Sequence, residues 1–464
     1  MYIHNRTRSR EQAKPGEEIL LFCCPKRQGR FVGRFQILQA FAMAQTNLPL
    51  DADRLWADVM SLADITDPAR PFTRRSFTAL FLEGRAWLTA KFAEAGLTTR
   101  IDAAGNLIGR LEGRNPALGV IAIGSHSDTV PSGGRFDGIA GVATGIEIIR
   151  ALRDADVQLD HTLEIIDFLA EEPSEYGLSC IGSRGMAGVL DAKMLAMTEP
   201  GGEPLREALR RVGGDPDALG LARRDDIKAF LELHIEQGIV LESQSLDVGI
   251  VTSIVGIRRI EVWFEGEADH AGTTPLALRH DALVAAAATV VAVRRLAEEL
   301  VAAADGYFVA TVGILTVEPL ASNIVPGRAR LIIDVRTTNP ELTDRFADAI
   351  GRESLAHAAA ARVRREVFAT LSDGAPVACD PALRSALRTG AHDLGLREVD
   401  LPSGAGHDAA FMSRICPSAM VFVPCRAGKS HTPEEWADRE ALAAGAAVIF
   451  QAVKALDGSL PHDG

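Results

Sequence analysis

The sequence predicts an α/β protein, a mixed and mostly parallel sheet flanked by helices, interrupted by a smaller inserted α+β unit. Three observations lead there. Apolar runs of strand length alternate with amphipathic helical segments through the first half of the chain. Between about Ser253 and Ser372 the pattern changes to strand, helix, strand, strand, helix, strand. Helix and strand patterns then resume, as if returning to the first sheet. With 464 residues, 47% hydrophobic and 24% charged, the chain can bury two ordinary cores.

In chain order, Leu55, Trp56, Val59, Met60 and Leu62 mark a first helix after Asp51, and Trp87 to Phe92 a second. Strand-like runs follow at Thr99 to Leu111 and Gly119 to Ile123, then a small-residue helix from Gly138 to about Ala155 and an apolar strand Leu163 to Ala170. Phe230 to Gly238 reads as helical, which puts His234 and Gln237 on one face. The inserted unit comprises strand Arg259 to Glu265, helix Asp281 to Ala302, strands Phe308 to Val317 and Ala329 to Arg336, helix Glu341 to Ala360 and strand Val363 to Thr370. That order is the ferredoxin-like layout. A helix at Pro381 to Leu394, a strand at Ala419 to Val423 and a helix from Arg439 to Leu456 complete the first sheet. The expected division is therefore 43–252 with 373–464 as one discontinuous domain and 253–372 as the insertion. Residues 1–42 show no periodicity and read as a tail of unknown role.

A formal net charge of −13, with no cluster of Lys and Arg, argues against nucleic-acid binding. Six scattered cysteines without a CxxC pair suggest neither a disulfide framework nor a thiolate metal site. The run Ile19 to Cys24 is too short for a signal core or a membrane span, so a cytoplasmic protein without a membrane partner is expected.

The chemistry-bearing residues cluster where strands end. His126, in GSHSDTVP, follows an apolar strand directly; Asp128 can accept its second ring N–H and fix the tautomer. A histidine there can equally satisfy loop backbone. Asp137, in GGRFDG, stands at a helix start, where an aspartate can be a simple cap or can bridge two cations. Glu171 and Glu172 end a buried strand and must meet solvent or cations; one can bind metal while the other holds a water as general base. His234 with Gln237, and His431 in GKSHTP, complete the candidates. Together they form a nitrogen and oxygen donor set suited to zinc, with manganese or cobalt permitted by the carboxylates.

These segments in this order resemble the hydantoinase/carbamoylase amidases of the M20 metallopeptidase family. The likeness spans about Asp51 to Leu456 and is carried by GSHSDTVPSGGRFDG, EEPSEYGLSCIGSRGMAG, ELHIEQG, DHAGTTP, SNIVPG, SGAGHDA and GKSHTPEEW. It implies a Zn-peptidase-like catalytic domain, with the insertion serving as dimerisation and lid domain. It also implies two divalent metal ions, one held by His126 and His234, the other by Glu172 and His431, with Asp137 bridging and Glu171 as general base. Asn323, Arg336 and Gln237 would bind the substrate carboxylate. His270 would reach the neighbouring subunit's site in a homodimer and stabilise the oxyanion. The expected substrate is a small anionic ureido or amide acid, foremost an N-carbamoyl-L-amino acid, with allantoate, a β-ureido acid or a peptide as alternatives. A non-catalytic binding protein on the same fold is the reading from another class. His407 and Asp408 fall near the expected site, where they can also be loop-stabilising groups.

Overall fold

The computed structural model describes residues 48–303 and 306–460, so the expected tail at 1–42 lies outside the described residues. Asp51 opens α1 (Ala52–Ala63) by accepting the N–H groups of Asp53 and Arg54. Thr78 caps α2 (Ala79–Ala95), which ends at Gly96 in the left-handed region, φ +89°. The chain continues through β1 (Thr98–Ile101), β2 (Leu107–Leu111), β3 (Val120–His126), α3 (Ile139–Asp154), β4 (Thr162–Phe168), β5 (Ile227–Ile235) and β6 (Val248–Ile254).

A second group of elements follows: β7 (Gly256–Glu265), β8 (Asp269–His270), α4 (Ala282–Ala303), β9 (Phe308–Glu318), β10 (Ile324–Val325), β11 (Arg328–Thr337), α5 (Pro340–Ala360) and β12 (Arg364–Asp373). Next come β13 (Val377–Ala378), α6 (Pro381–Asp393), β14 (Glu398–Ser403), β15 (Ser418–Val423) and α7 (Arg439–Asp457).

The larger sheet runs β1-β2-β4-β3-β5-β15-β6-β13, with β14 pairing β6. Its centre, β4-β3-β5-β15, is parallel, and antiparallel strands flank it. The smaller sheet is antiparallel, in the order β12-β7-β11-β9. Ile260, Val262, Phe264, Leu331, Ile333 and Phe346 belong to a core of its own. Burial along β11 alternates residue by residue, as one covered face requires.

β3 and β4 are buried at every position and β5 at all but Lys228. Strands covered on both faces lose the two-residue alternation, and for that reason the stretch Phe230 to Gly238, expected as a helix, is instead the end of β5 and the turn after it. The correction changes how His234 and Gln237 come together. In register, His126 pairs with Phe168 at the end of β4, and His234 with Phe422 near the end of β15. The carboxyl ends of four parallel strands thus share one edge, where open α/β sheets build sites. Among the described residues no helix is long and apolar enough to cross a membrane.

Candidate metal centre

His126 is the last residue of β3 and His234 the penultimate residue of β5; both are buried. Each ring is oriented by its own loop: Nδ1 of His126 lies 3.0 Å from the carbonyl of Asp128, and Nδ1 of His234 lies 2.9 Å from that of Ile235. A carbonyl can only accept, so Nδ1 carries a proton in both rings and Nε2 is the nitrogen turned inward, free to bind a cation when it gives up its own proton. Nε2 of His126 is buried without a hydrogen-bond partner. A buried acceptor left unpaired costs stability unless something else meets it, and a cation is the group its surroundings suit.

Asp137 stands between the histidines. Its Oδ1 is 3.0 Å from His234 Nε2 and 3.5 Å from His126 Nε2, while its Oδ2 is 3.1 Å from His431 Nε2. Glu172 Oε1 is 3.3 Å from the same His431 nitrogen. Two donor sets result, His126, Asp137 and His234, and Asp137, Glu172 and His431, with ligand atoms in each within 4.8 Å of one another. Asp137 offers one oxygen to each set. The donors are imidazole nitrogens and carboxylate oxygens, the types that suit a divalent cation.

Local backbone makes this crowding possible. Gly138 has φ +68°, and a Cβ on it would lie 2.4 Å from the His126 ring. Ala170, Gln237 and His431 also adopt positive φ, of 52°, 55° and 56°. β4 ends at Phe168, so Glu171 and Glu172 follow a left-handed turn rather than an extended strand. The pair still divides: Glu171 Oε2 faces His126 Nε2 at 3.5 Å, and Glu172 faces His431. The Asp128 carboxylate accepts the N–H groups of both, at 3.2 and 3.3 Å. Its side chain was expected on His126, but it lies 3.5 Å from Nδ1 while the carbonyl is nearer.

The electrostatics reflect packed acids. Burial would raise Asp137, but His234, His126 and His431 hold its carboxyl well below the usual carboxylate range. Contacts with Asp137 and Glu172 push His431 up to about 11. Burial, opposed by His126 and reinforced by Asp408, Glu172 and Asp128, raises Glu171 well above the usual range. A carboxyl held high in this way is suited to accept and return a proton.

Several residues of the centre were not singled out from the sequence. Glu435 is fully buried; its Oε1 accepts Phe136 and Asp137 N–H at 2.7 and 3.2 Å, and its Oε2 accepts Ser430 Oγ–H at 2.9 Å. Burial, then Asp137, raises it to about 7. Ser430 also lies 2.9 Å from Asp137 Oδ2. Cys180 Sγ–H donates to Glu171 Oε1 at 3.4 Å. Ser430 and Glu435 lie in the segment that carries His431, which was the only signal for them.

The remaining expected residues divide. Gln237 Nε2 donates to Asp137 at 2.7 Å and to Ser430 at 3.2 Å, so the structure places it on the shared aspartate. His407 is buried with Nε2 2.8 Å from Ser403 Oγ, and its ring lies 4.5 Å from that of His234. Burial and the neighbouring His234 hold its pKa well down. Asp408 accepts Ser183 Oγ–H at 2.5 Å. Arg336, on β11, donates to Asp334 and, at 3.0 Å, to the carbonyl of Gly404 in the segment that carries His407. His270 and Asn323 are exposed on the smaller unit, joined where Ala271 N–H donates to the Asn323 carbonyl. The His270 ring bonds to its own loop rather than to the donor cluster.

The family model for Peptidase family M20/M25/M40 matches residues 122–455. The chain belongs to this family. Within M20/M25/M40 it is 40% identical over 413 residues to the N-carbamoyl-L-amino-acid amidohydrolase of Paenarthrobacter aurescens, covering 88% of this chain and 98% of that one. It is 35% identical over 414 residues to the ureidoglycolate hydrolase of Oryza sativa subsp. japonica, covering 88% and 85%. A crystal structure of an amidase of the hydantoinase/carbamoylase family from Burkholderia multivorans matches with a TM-score of 0.78 at 34% identity, over 87% of this chain and 97% of that one. M20 membership implies dependence on a divalent metal, in agreement with the donor sets.

Proposed function

We propose that the chain is a two-metal amidohydrolase that cleaves a C–N bond of a small ureido acid, foremost an N-carbamoyl-L-amino acid. The observation that carries this reading is the pair of nitrogen and oxygen donor sets sharing Asp137, with Glu171 beside them. The relatives add the substrate class, since N-carbamoyl amino acids and ureidoglycolate share a ureido group on the carbon that bears the carboxylate.

His126, His234 and Asp137 would hold one ion and Asp137, Glu172 and His431 the other, zinc first, with manganese or cobalt also suited to these donors. Such ions, when bound, polarise the scissile carbonyl and lower the pKa of water. Glu171 takes the proton of the attacking water and delivers it to the leaving amine. Arg336 and Asn323 bind the substrate carboxylate, Arg336 through a charge-assisted contact that is available once its bond to Gly404 is exchanged. Gln237 steadies Asp137. His270 donates to the developing oxyanion. One water consumed gives the amino acid, ammonia and carbon dioxide.

The division at 253 and 372 into a discontinuous catalytic domain and an inserted lid is part of this proposal, supported by the separate sheet and core of the smaller unit. So is a homodimer with His270 serving the neighbouring site. β9 is an edge strand of eleven residues, uncharged up to Glu318 and with Ile314 and Leu315 exposed, which is the kind of edge a second chain covers. Among the described residues, the free buried thiols Cys180, Cys379, Cys416 and Cys425 suit the cytoplasm.

Ammonia release from N-carbamoyl-L-amino acids, N-carbamoyl-β-alanine, allantoate and ureidoglycolate, with zinc or manganese and a chelated control, tests the reading. Selective metal-dependent release is expected. No release from any of them would redirect it to amide or peptide hydrolysis.

A further inference from the structure

We propose that His270 is built to act as a neutral hydrogen-bond donor through Nε2, and that Arg279 and Arg362 are the positioning residues that hold it there; this rests on the functional reading above. The backbone N–H groups of Gly272 and Thr273 each lie 3.1 Å from His270 Nδ1. A peptide N–H can only donate, so Nδ1 accepts from both and the single ring proton sits on Nε2. Gly272 permits the approach: a Cβ there would stand 3.2 Å from Cε1 of the ring and 3.5 Å from Nδ1. The main chain of His270 is fixed as well, by pairing with Ile324 and by Thr274 N–H donating to its carbonyl at 3.1 Å. This tautomer is the reverse of that of His126 and His234, whose Nδ1 atoms face carbonyls. Those two rings present a lone pair to a cation, whereas His270 presents a proton to an oxygen.

Two guanidinium groups tie the rest of the loop down. Arg279 Nε donates to the carbonyl of Thr274 at 3.0 Å and Nη2 to that of Ala271 at 2.5 Å. Arg362, in the turn between α5 and β12, donates to the carbonyls of Leu276 at 3.2 Å, Arg279 at 3.0 Å and Ala277. The loop holds few buried groups of its own, and Leu276 is 78% exposed. Its shape therefore depends on these bonds. A donor aimed at an oxyanion acts in the transition state, and its displacement by about 1 Å costs on the order of a hundredfold in rate.

The tautomer is read from nitrogen-proton correlation spectra of the zinc-loaded protein carrying ring-labelled ¹⁵N-histidine, with His270 assigned by its loss in His270→Gln. The expected spectrum shows the proton on Nε2 and a bare Nδ1. Arg279→Gln and Arg362→Gln are each expected to lower kcat at least about tenfold, with KM and bound zinc unchanged, and to have no further effect in the His270→Gln background. A proton on Nδ1, protons on both nitrogens, or an equal loss in the His270→Gln background would overturn the proposal. Failure of the functional reading shows separately, as no ammonia release by the unaltered protein from any ureido acid; the spectrum then decides the tautomer without turnover.

Discussion

Glu171 and Glu172 are neighbours in sequence and both carboxylic acids, yet they face different partners. Glu171→Gln is therefore expected to keep both metal ions and to lose about 10²–10⁴-fold in kcat, the usual contribution of a general base. Elemental analysis beside the assay checks this, and loss of one ion per chain would mean that the two acids had been exchanged. The metal centre should also compete with protons. His431 is pushed up to about 11 by Asp137 and Glu172, so below that pH the metal-free ring is protonated and a cation must displace the proton. Apparent metal affinity should then rise from pH 6.5 to pH 8.5, measured by chelator competition; affinity independent of pH would contradict it. His126 and His234 are legible at the ends of apolar strands and Asp137 just before a helix start, while Glu171, Glu172 and His431, which lie in turns and loops, are legible only through their distinctive segments. Glu435 and Ser430 were not, since their importance lies in hydrogen bonds to residues some 300 positions away, such as Phe136 and Asp137.

The elements of the smaller unit are legible in the sequence because strands such as β11 bury one face and keep the two-residue rhythm. β5 was read as a helix because both of its faces are covered, and a spacing of three between His234 and Gln237 suits a helix face equally well. The real device is a strand end followed by a positive φ at Gln237, which brings its amide back onto Asp137. The start of α3 carries a similar constraint. Gly138→Ala would force a Cβ into the His126 ring at a positive φ. It is expected to cost about 1–3 kcal/mol of stability and to reduce bound metal, as thermal melts with and without zinc would show. An alanine variant with native melting and full metal content would remove this role.

At the scale of the whole molecule, the donor sets lie on the larger sheet while His270, Asn323 and Arg336 lie on the smaller unit, and Arg336 reaches the segment carrying His407 through the carbonyl of Gly404. The sequence indicates two groups of elements and their succession along the chain, because patterning is local. It could not show how the units meet, which depends on contacts between residues remote in the chain. If His270 serves a neighbouring subunit, mixing His270→Gln with Asp137→Ala should restore part of the turnover that each lacks alone; no recovery, with subunit exchange verified, would favour a site complete in one chain. The most direct test of the two-metal claim is a zinc titration of the metal-free protein, following ammonia released from an N-carbamoyl-L-amino acid. Activity should return in proportion to ions bound and level off at two per chain. Full turnover in the metal-free protein, or saturation at one ion, would contradict the account.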